Sequence, residues 1–182
     1  MIELIPTRTT DSHYLPAQKL MEESFPPEER RTAEAQQHIT DCNPYFRPHY
    51  IMDEEKFIGL VNYWQFKDFV YIEHLATDPS IRGGGYGGRV LDLLRTQINL
   101  PIVLEVEHPD NEIARRRINF YTRHGYSLWT EREYIQPPYA EGRPWLPLLL
   151  MVNGPLNEEK DFERIRITLY KQVYNQNTTN NK

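Results

Sequence analysis

The stretch IRGGGYGGRV, residues 81–90, carries five of the chain's nine glycines: Gly83, Gly84, Gly85, Gly87 and Gly88. Each glycine costs backbone entropy on folding, so a local need must offset the cluster. Two needs recur. One is a tight turn; the other is a main chain that must come very close to something, often a phosphate. The flanks narrow the choice. FVYIEHLATD (69–78) reads as a strand, and GRVLDLLRTQI (88–98) places Val90, Leu91, Leu94 and Ile98 at helical spacing. The glycines lead from a strand into a helix.

Working outward, residues 2–5 read as a first strand. A helix-like region after Ser12 carries Leu15, Leu20, Met21 and Phe25, and Pro26 and Pro27 break it. PPEERRTAEAQQHI (26–39) reads as a second helix with Pro in its first turn and acids near its start. HYIMDEEKFIGLVNYWQF (49–66) reads as a hairpin around the polar turn DEEK. Past the glycines, LPIVLEVE (100–107) is a buried strand, and NEIARRRINFYTRHG (111–125) is a helix stopped at Gly125. YSLWTEREYI and WLPLLLMV are two further strands around the loop QPPYAEGRP. From 157, Phe162, Ile165, Leu169 and Val173 form one helical stripe. Residues 1–174 are expected to form one domain, and 175–182 (NQNTTNNK) a disordered tail.

The chain has 182 residues, and 12 Tyr, 7 Phe and 3 Trp supply apolar area to a composition only 39% hydrophobic. Its 21 basic and 26 acidic residues leave a net charge of −5, a poor balance for a general nucleic-acid binder. Cys42 is the single cysteine, so no internal disulfide exists, which fits a reducing compartment. No apolar signal region opens the chain, and no run approaches about 18 apolar residues. A cytoplasmic protein is expected, with no membrane or nucleic-acid partner and no metal.

The glycines allow three readings. The first is a flexible surface loop, which leaves the strand-to-helix position unexplained. The second is a dinucleotide site: Gly83, Gly85 and Gly88 match G-x-G-x-x-G, and Glu105 or Glu107 stands at about the ribose-binding spacing. Against it, Thr77 to Arg82 intervene before the glycines, and hairpin-like strands surround a single βαβ unit. A P-loop is excluded because no Gly-Lys-[Ser/Thr] follows.

The third reading includes the preceding residue. Arg82-Gly-Gly-Gly85-Tyr-Gly87 fits [Arg/Gln]-x-x-Gly-x-[Gly/Ala], and Phe120-Tyr121 with Gly125-Tyr126 follows at a fitting distance. These stretches resemble the GCN5-related N-acetyltransferase (GNAT) family, firmly over 70–129. The resemblance implies an α/β (α+β) fold: a mixed, mostly antiparallel sheet of six to seven strands, helices on both faces, and an added C-terminal helix. It also implies acetyl-CoA as co-substrate. The pyrophosphate would meet main-chain amides of the loop Arg82, Gly83, Gly84, Gly85, Tyr86, Gly87 and Gly88 at the positive end of a helix. Side chains at 83, 84 or 85 would stand in the way. The pantetheine arm would run along Leu75, Ala76 and Thr77, where a backbone N–H polarises the thioester carbonyl.

The same resemblance assigns Tyr121 as the general acid beside the sulfur and Glu73 as the general base. Glu105 or Glu107 would help raise the affinity of Glu73 for a proton. The structural alternatives are a core aromatic and an ion-paired carboxylate. His74 alternates to the opposite face and reads as structural. Many relatives carry Asn where this chain has Ala114; Arg115, Arg116 and Arg117 crowd that turn and reach a phosphate or form a solvated face.

FPPEERRTAE and EYIQPPYAEGRPW fall where the family builds its acceptor site, which puts Phe25, Glu28, Tyr134, Gln136 and Tyr139 along it. The acids weakly favour a cationic amine or polyamine within the class of small-molecule or peptide amines. The chain is expected to be a monomer or homodimer, its last helix capping the sheet or carrying a dimer contact. Three functions compete: an acetyl-CoA-dependent N-acetyltransferase, a catalytically silent CoA-binding module of the same fold, and a dinucleotide-dependent oxidoreductase.

Overall fold

In the computed structural model, residues 1–81 and 83–176 are described. Arg82 and the expected tail from 177 onward lie outside them. The chain divides into two compact units, Met1–Leu100 and Pro101–Lys182. Among the described residues they hold five α-helices and seven strands, and the strand pairs within each unit are antiparallel. The expected mixed α/β class and the upper strand count are observed.

In the first unit, β1 (Ile2–Pro6), β2 (Phe46–Asp53), β3 (Lys56–Gln65) and β4 (Val70–Thr77) pair in chain order. The β2–β3 hairpin turns on Glu54–Glu55, with Asp53 facing Lys56 across it and Glu54 at φ 57°. α1 (Tyr14–Ser24) packs Ala17, Leu20 and Met21 against Tyr50, Met52, Leu60 and Ala76. Burying one such aliphatic side chain contributes about 1.5–3 kcal/mol, so this face fixes the helix despite its poor caps. Leu15, expected on that face, is instead 71% exposed. Its neighbours Tyr14 and Ala17 hold the buried positions one turn apart.

The second helix is shorter than its sequence suggests. Pro27–Glu29 forms only a single 3-10 turn, and α2 runs over Ala33–Cys42. The reason is Thr32, whose hydroxyl accepts from the Ala35 amide at 3.3 Å and so starts the helix there. Pro26 and Arg30 are both extended. α3 (Tyr86–Gln97) buries Gly88, Val90, Leu91 and Leu94.

In the second unit, β7 (Leu146–Asn153) lies between β5 (Ile102–Glu107) and β6 (Ser127–Gln136). α4 (Glu112–Arg123) is capped by the Asn111 side chain. It ends in a C-terminal turn, where Gly125 at φ 81° lets the Tyr126 amide return to the Tyr121 carbonyl at 3.1 Å. β6 carries a wide bulge: the register passes from Trp129↔Leu150 to Tyr134↔Leu148. Within it, the amides of Thr130, Glu131 and Arg132 all donate to the Glu158 carboxylate, at 2.8–3.2 Å. Glu158 opens α5 (Glu158–Gln172), whose Phe162, Ile165 and Leu169 are buried as the stripe predicted. The C-terminal helix thus covers β6 of its own unit.

Candidate functional site

The glycine loop enters α3 through left-handed backbone. Gly83 stands at φ 88° and Gly85 at φ 74°, a region that costs a residue with a Cβ about 1–2 kcal/mol. A Cβ added at either would meet nothing within 4 Å. The glycines there answer the backbone angle, not crowding by the protein. At Gly84 a Cβ would come to 3.0 Å from the Tyr86 ring. Tyr86 donates to Asp53 at 3.1 Å, with Arg89 over its ring at 5.3 Å.

α2, α4 and α5 each begin with a side-chain cap on an early amide. α3 begins at Gly85, with no capping side chain among the described residues and no acid in its first turn. Gly83, Gly84 and Gly85 are exposed. The result is a solvent-facing, positively polarised helix end with a Cβ-free approach.

On β4, Thr77, Ala76 and Leu75 face Gly59, Leu60 and Val61 of β3. The register then slips: His74 faces Asn62 and Ile72 faces Tyr63, leaving Glu73 without an opposite residue. Gly59 permits the close strand approach, since a Cβ there would lie 2.3 Å from the Ala76 carbonyl oxygen. The bulge places the Glu73 side chain inside the protein, 0% exposed, while the residue as a whole keeps partial exposure through its main chain. Arg31 Nη1 stands 2.8 Å from Glu73 Oε1, and Trp64 Nε1 donates to Oε2 at 3.2 Å. Sequence reasoning placed Arg31 inside a helix and missed this pair.

His74 is 1% exposed, and its Nε2 lies 2.9 Å from the Glu29 carbonyl oxygen. A carbonyl only accepts, so Nε2 carries the proton. Burial pushes the His74 pKa below its ordinary value, against the upward pull of Glu73. Phe25, partly buried, sets its ring edge-on to His74 at 4.6 Å. Glu28 sits half-buried in the 3-10 turn.

In the second unit, Tyr121 is partly exposed on α4, with ring contacts to Phe120 at 5.2 Å and Tyr126 at 5.6 Å. Burial raises its phenol above the ordinary 10.0, while Arg117 pulls the other way. It stays protonated throughout the neutral range. Ala114 is buried, with its amide donating to Asn111 at 2.9 Å. Arg115 donates to the Pro109 carbonyl and Arg117 pairs with Glu107. Both therefore hold local contacts on an exposed face.

Tyr134 is 2% exposed and Gln136 3%, so both turn into the protein. Tyr134 donates to Glu105, and burial raises its phenol well above the usual value. Tyr139 is partly exposed, its ring 5.0 Å from that of Tyr174. Among the described residues no group of three His, Cys, Asp or Glu side chains is arranged to hold a metal ion. No helix among them is long and apolar enough to cross a membrane.

Residues 14–126 match the model of the acetyltransferase (GNAT) family. A Bacteroides thetaiotaomicron structure assigned to the GNAT acetyltransferases is 48% identical, covering 96% of this chain and 99% of that one, with a TM-score of 0.93. A GNAT structure from Elizabethkingia anophelis with acetyl-CoA bound has a TM-score of 0.57 at 14% identity, covering 85% of this chain and 98% of that one; at that identity it shows the shared fold alone. YjbC of Bacillus subtilis (strain 168), assigned as an acetyltransferase, is 33% identical over 76 residues, which span 41% of this chain and only 38% of that relative. The chain belongs to the acetyltransferase (GNAT) family.

Proposed function

We propose that this chain is an acetyl-CoA-dependent N-acetyltransferase that moves an acetyl group directly onto a primary amine of a small-molecule or peptide acceptor. The observation that carries this reading is the entry to α3. Gly83 and Gly85 hold left-handed backbone, the loop is exposed, and no side chain among the described residues caps the helix. Such an end fits a pyrophosphate. Loop and helix amides from Gly83 to Gly88 would hold it, and Arg82 would join them. Main-chain groups of Leu75, Ala76 and Thr77 would line the pantetheine arm.

When bound, acetyl-CoA supplies the activated acyl group. Tyr121, protonated across the neutral range, would return a proton to the departing thiolate. Phe25, Glu28 and Tyr139 keep some exposure and fit a role beside the acceptor. The buried Tyr134 and Gln136 would act there only indirectly, through the residues they pack against.

A second reading, a CoA-holding module without turnover, draws on Glu73, whose sealed and ion-paired carboxylate is poorly placed to accept a proton. Calorimetric titration with acetyl-CoA, CoA and NAD, followed by thiol release over a panel of primary amines, separates the readings. The proposal predicts binding of acetyl-CoA and CoA, no binding of NAD, and turnover with at least one amine. Tight CoA binding with no turnover would select the module.

A further inference from the structure

The segment 25–31 is fastened to β4 at its bulge by contacts spread along its length. Arg31 reaches Glu73 at 2.8 Å, with the two side chains 7% and 0% exposed. The Arg31 guanidinium carbon also lies 5.5 Å from the Trp64 ring centre and 5.9 Å from that of Phe46, which holds the cation among aromatic faces. The Trp64 indole in turn donates to the other oxygen of Glu73. Two residues earlier, the Glu29 carbonyl oxygen accepts from His74. At the start of the segment Phe25 sets its ring against the same histidine, and its carbonyl accepts from Arg30 Nε at 3.1 Å.

These contacts join two parts of the chain far apart in sequence. One is the stretch carrying Phe25 and Glu28. The other is the strand carrying Leu75–Thr77, and the joint falls on the residue left out of register. An ion pair this sealed cannot offer its carboxylate to an incoming amine without first opening. The same pair is well suited to fixing backbone, because its 2.8 Å contact is shielded from water and neither charge can leave the other without a large cost.

Resting on the acetyltransferase reading, we propose that Arg31 and Glu73 are a positioning pair, which hangs the 25–30 segment on the bulge of β4 so that the acceptor side is pre-formed, and that Glu73 does not itself take the amine proton. The proton then leaves through water, or the minor neutral amine is captured.

The test removes both charges together, Arg31→Met with Glu73→Gln, so that neither is left buried alone. Amide hydrogen exchange is read over residues 25–31, acetyl-CoA affinity by calorimetry, and steady-state kinetics with an amine accepted in the panel. The double variant should exchange these amides faster by about tenfold or more through local opening. Its acetyl-CoA affinity should stay within about twofold, and its acceptor KM should rise about tenfold with kcat within about threefold. Arg31→Lys keeps the charge without the planar fork and should speed exchange by a smaller factor, about threefold.

Exchange at the parent's rate in either variant overturns the proposal. So does loss of the acid limb of the kcat/KM profile in Glu73→Gln, which would make Glu73 the base. A parent that neither binds acetyl-CoA nor acetylates any amine sinks the functional reading instead, while the exchange result still decides whether the pair positions the segment.

Discussion

Tyr174 donates its phenol hydrogen to the Glu105 carboxylate, 2.8 Å from Oε2 and 3.0 Å from Oε1. Two residues beyond α5, this side chain thereby reaches back to β5. Tyr134 donates to the same carboxylate, and the Tyr170 hydroxyl to the Ile135 carbonyl at 2.5 Å. The C-terminal helix is built into its unit and does not merely follow it.

Tyr174→Phe keeps the ring, 5% exposed, and deletes one donor to a charged acceptor. It should cost about 1.5–3 kcal/mol in urea denaturation. A cost below about 0.5 kcal/mol would mean that the helix is held by its apolar stripe alone.

Much of this was legible in the sequence. The polar turn DEEK marked the β2–β3 hairpin, the apolar run 100–107 marked β5, and the 3.6-residue stripes marked α3 and α5. What escaped depends on residues distant in sequence or on breaks in period. Glu73 and His74 were assigned to opposite faces by simple alternation, yet the bulge at Glu73 interrupts that count and both side chains are sealed. Arg31 and Glu73 are too far apart for any local pattern to pair them. Tyr134 and Gln136 lie beyond the wide bulge of β6, which resets which face a residue meets. Thr32 was readable as a cap but was passed over in favour of the Pro26–Pro27 start.

Stability should fall at high pH. Tyr50 is 2% exposed, and burial, with the Asp11 charge adding to it, pushes its phenol up to about 12. In the unfolded chain a tyrosine loses its proton near the ordinary value of about 10. The native state retains the proton over that interval, so the stabilisation is complete below pH about 10 and is lost as pH rises from about 10 through about 12. A shift of this size corresponds to about 2–3 kcal/mol. Tyr50→Phe should flatten the slope of unfolding free energy between pH 10 and 12. An unchanged slope would assign the alkaline loss to other buried phenols such as Tyr134.

Tyr121→Phe removes only a hydroxyl from a ring packed beside Phe120 and Tyr126. Loss of a general acid lowers kcat by about 10²–10⁴-fold. Acetyl-CoA affinity should stay within about twofold, because the ring remains. The parent should show no alkaline limb from this group below pH about 10, since burial raises its phenol. An unchanged kcat, with chemistry shown to limit turnover by a single-turnover experiment, would return Tyr121 to packing.

The central claim is that the loop before α3 holds the pyrophosphate of acetyl-CoA, and Gly85 tests it most directly. Gly85 stands at φ 74° and a Cβ there would meet nothing within 4 Å, so the cost of Gly85→Val lies chiefly in the strained backbone angle. The strain should cost about 1–2 kcal/mol, leaving the fold intact in thermal unfolding. Calorimetry of acetyl-CoA against the parent and the folded variant is the measurement. Binding by the parent and its loss in Gly85→Val is the predicted result. Binding in the variant within about twofold of the parent, or none in the parent, would contradict the account.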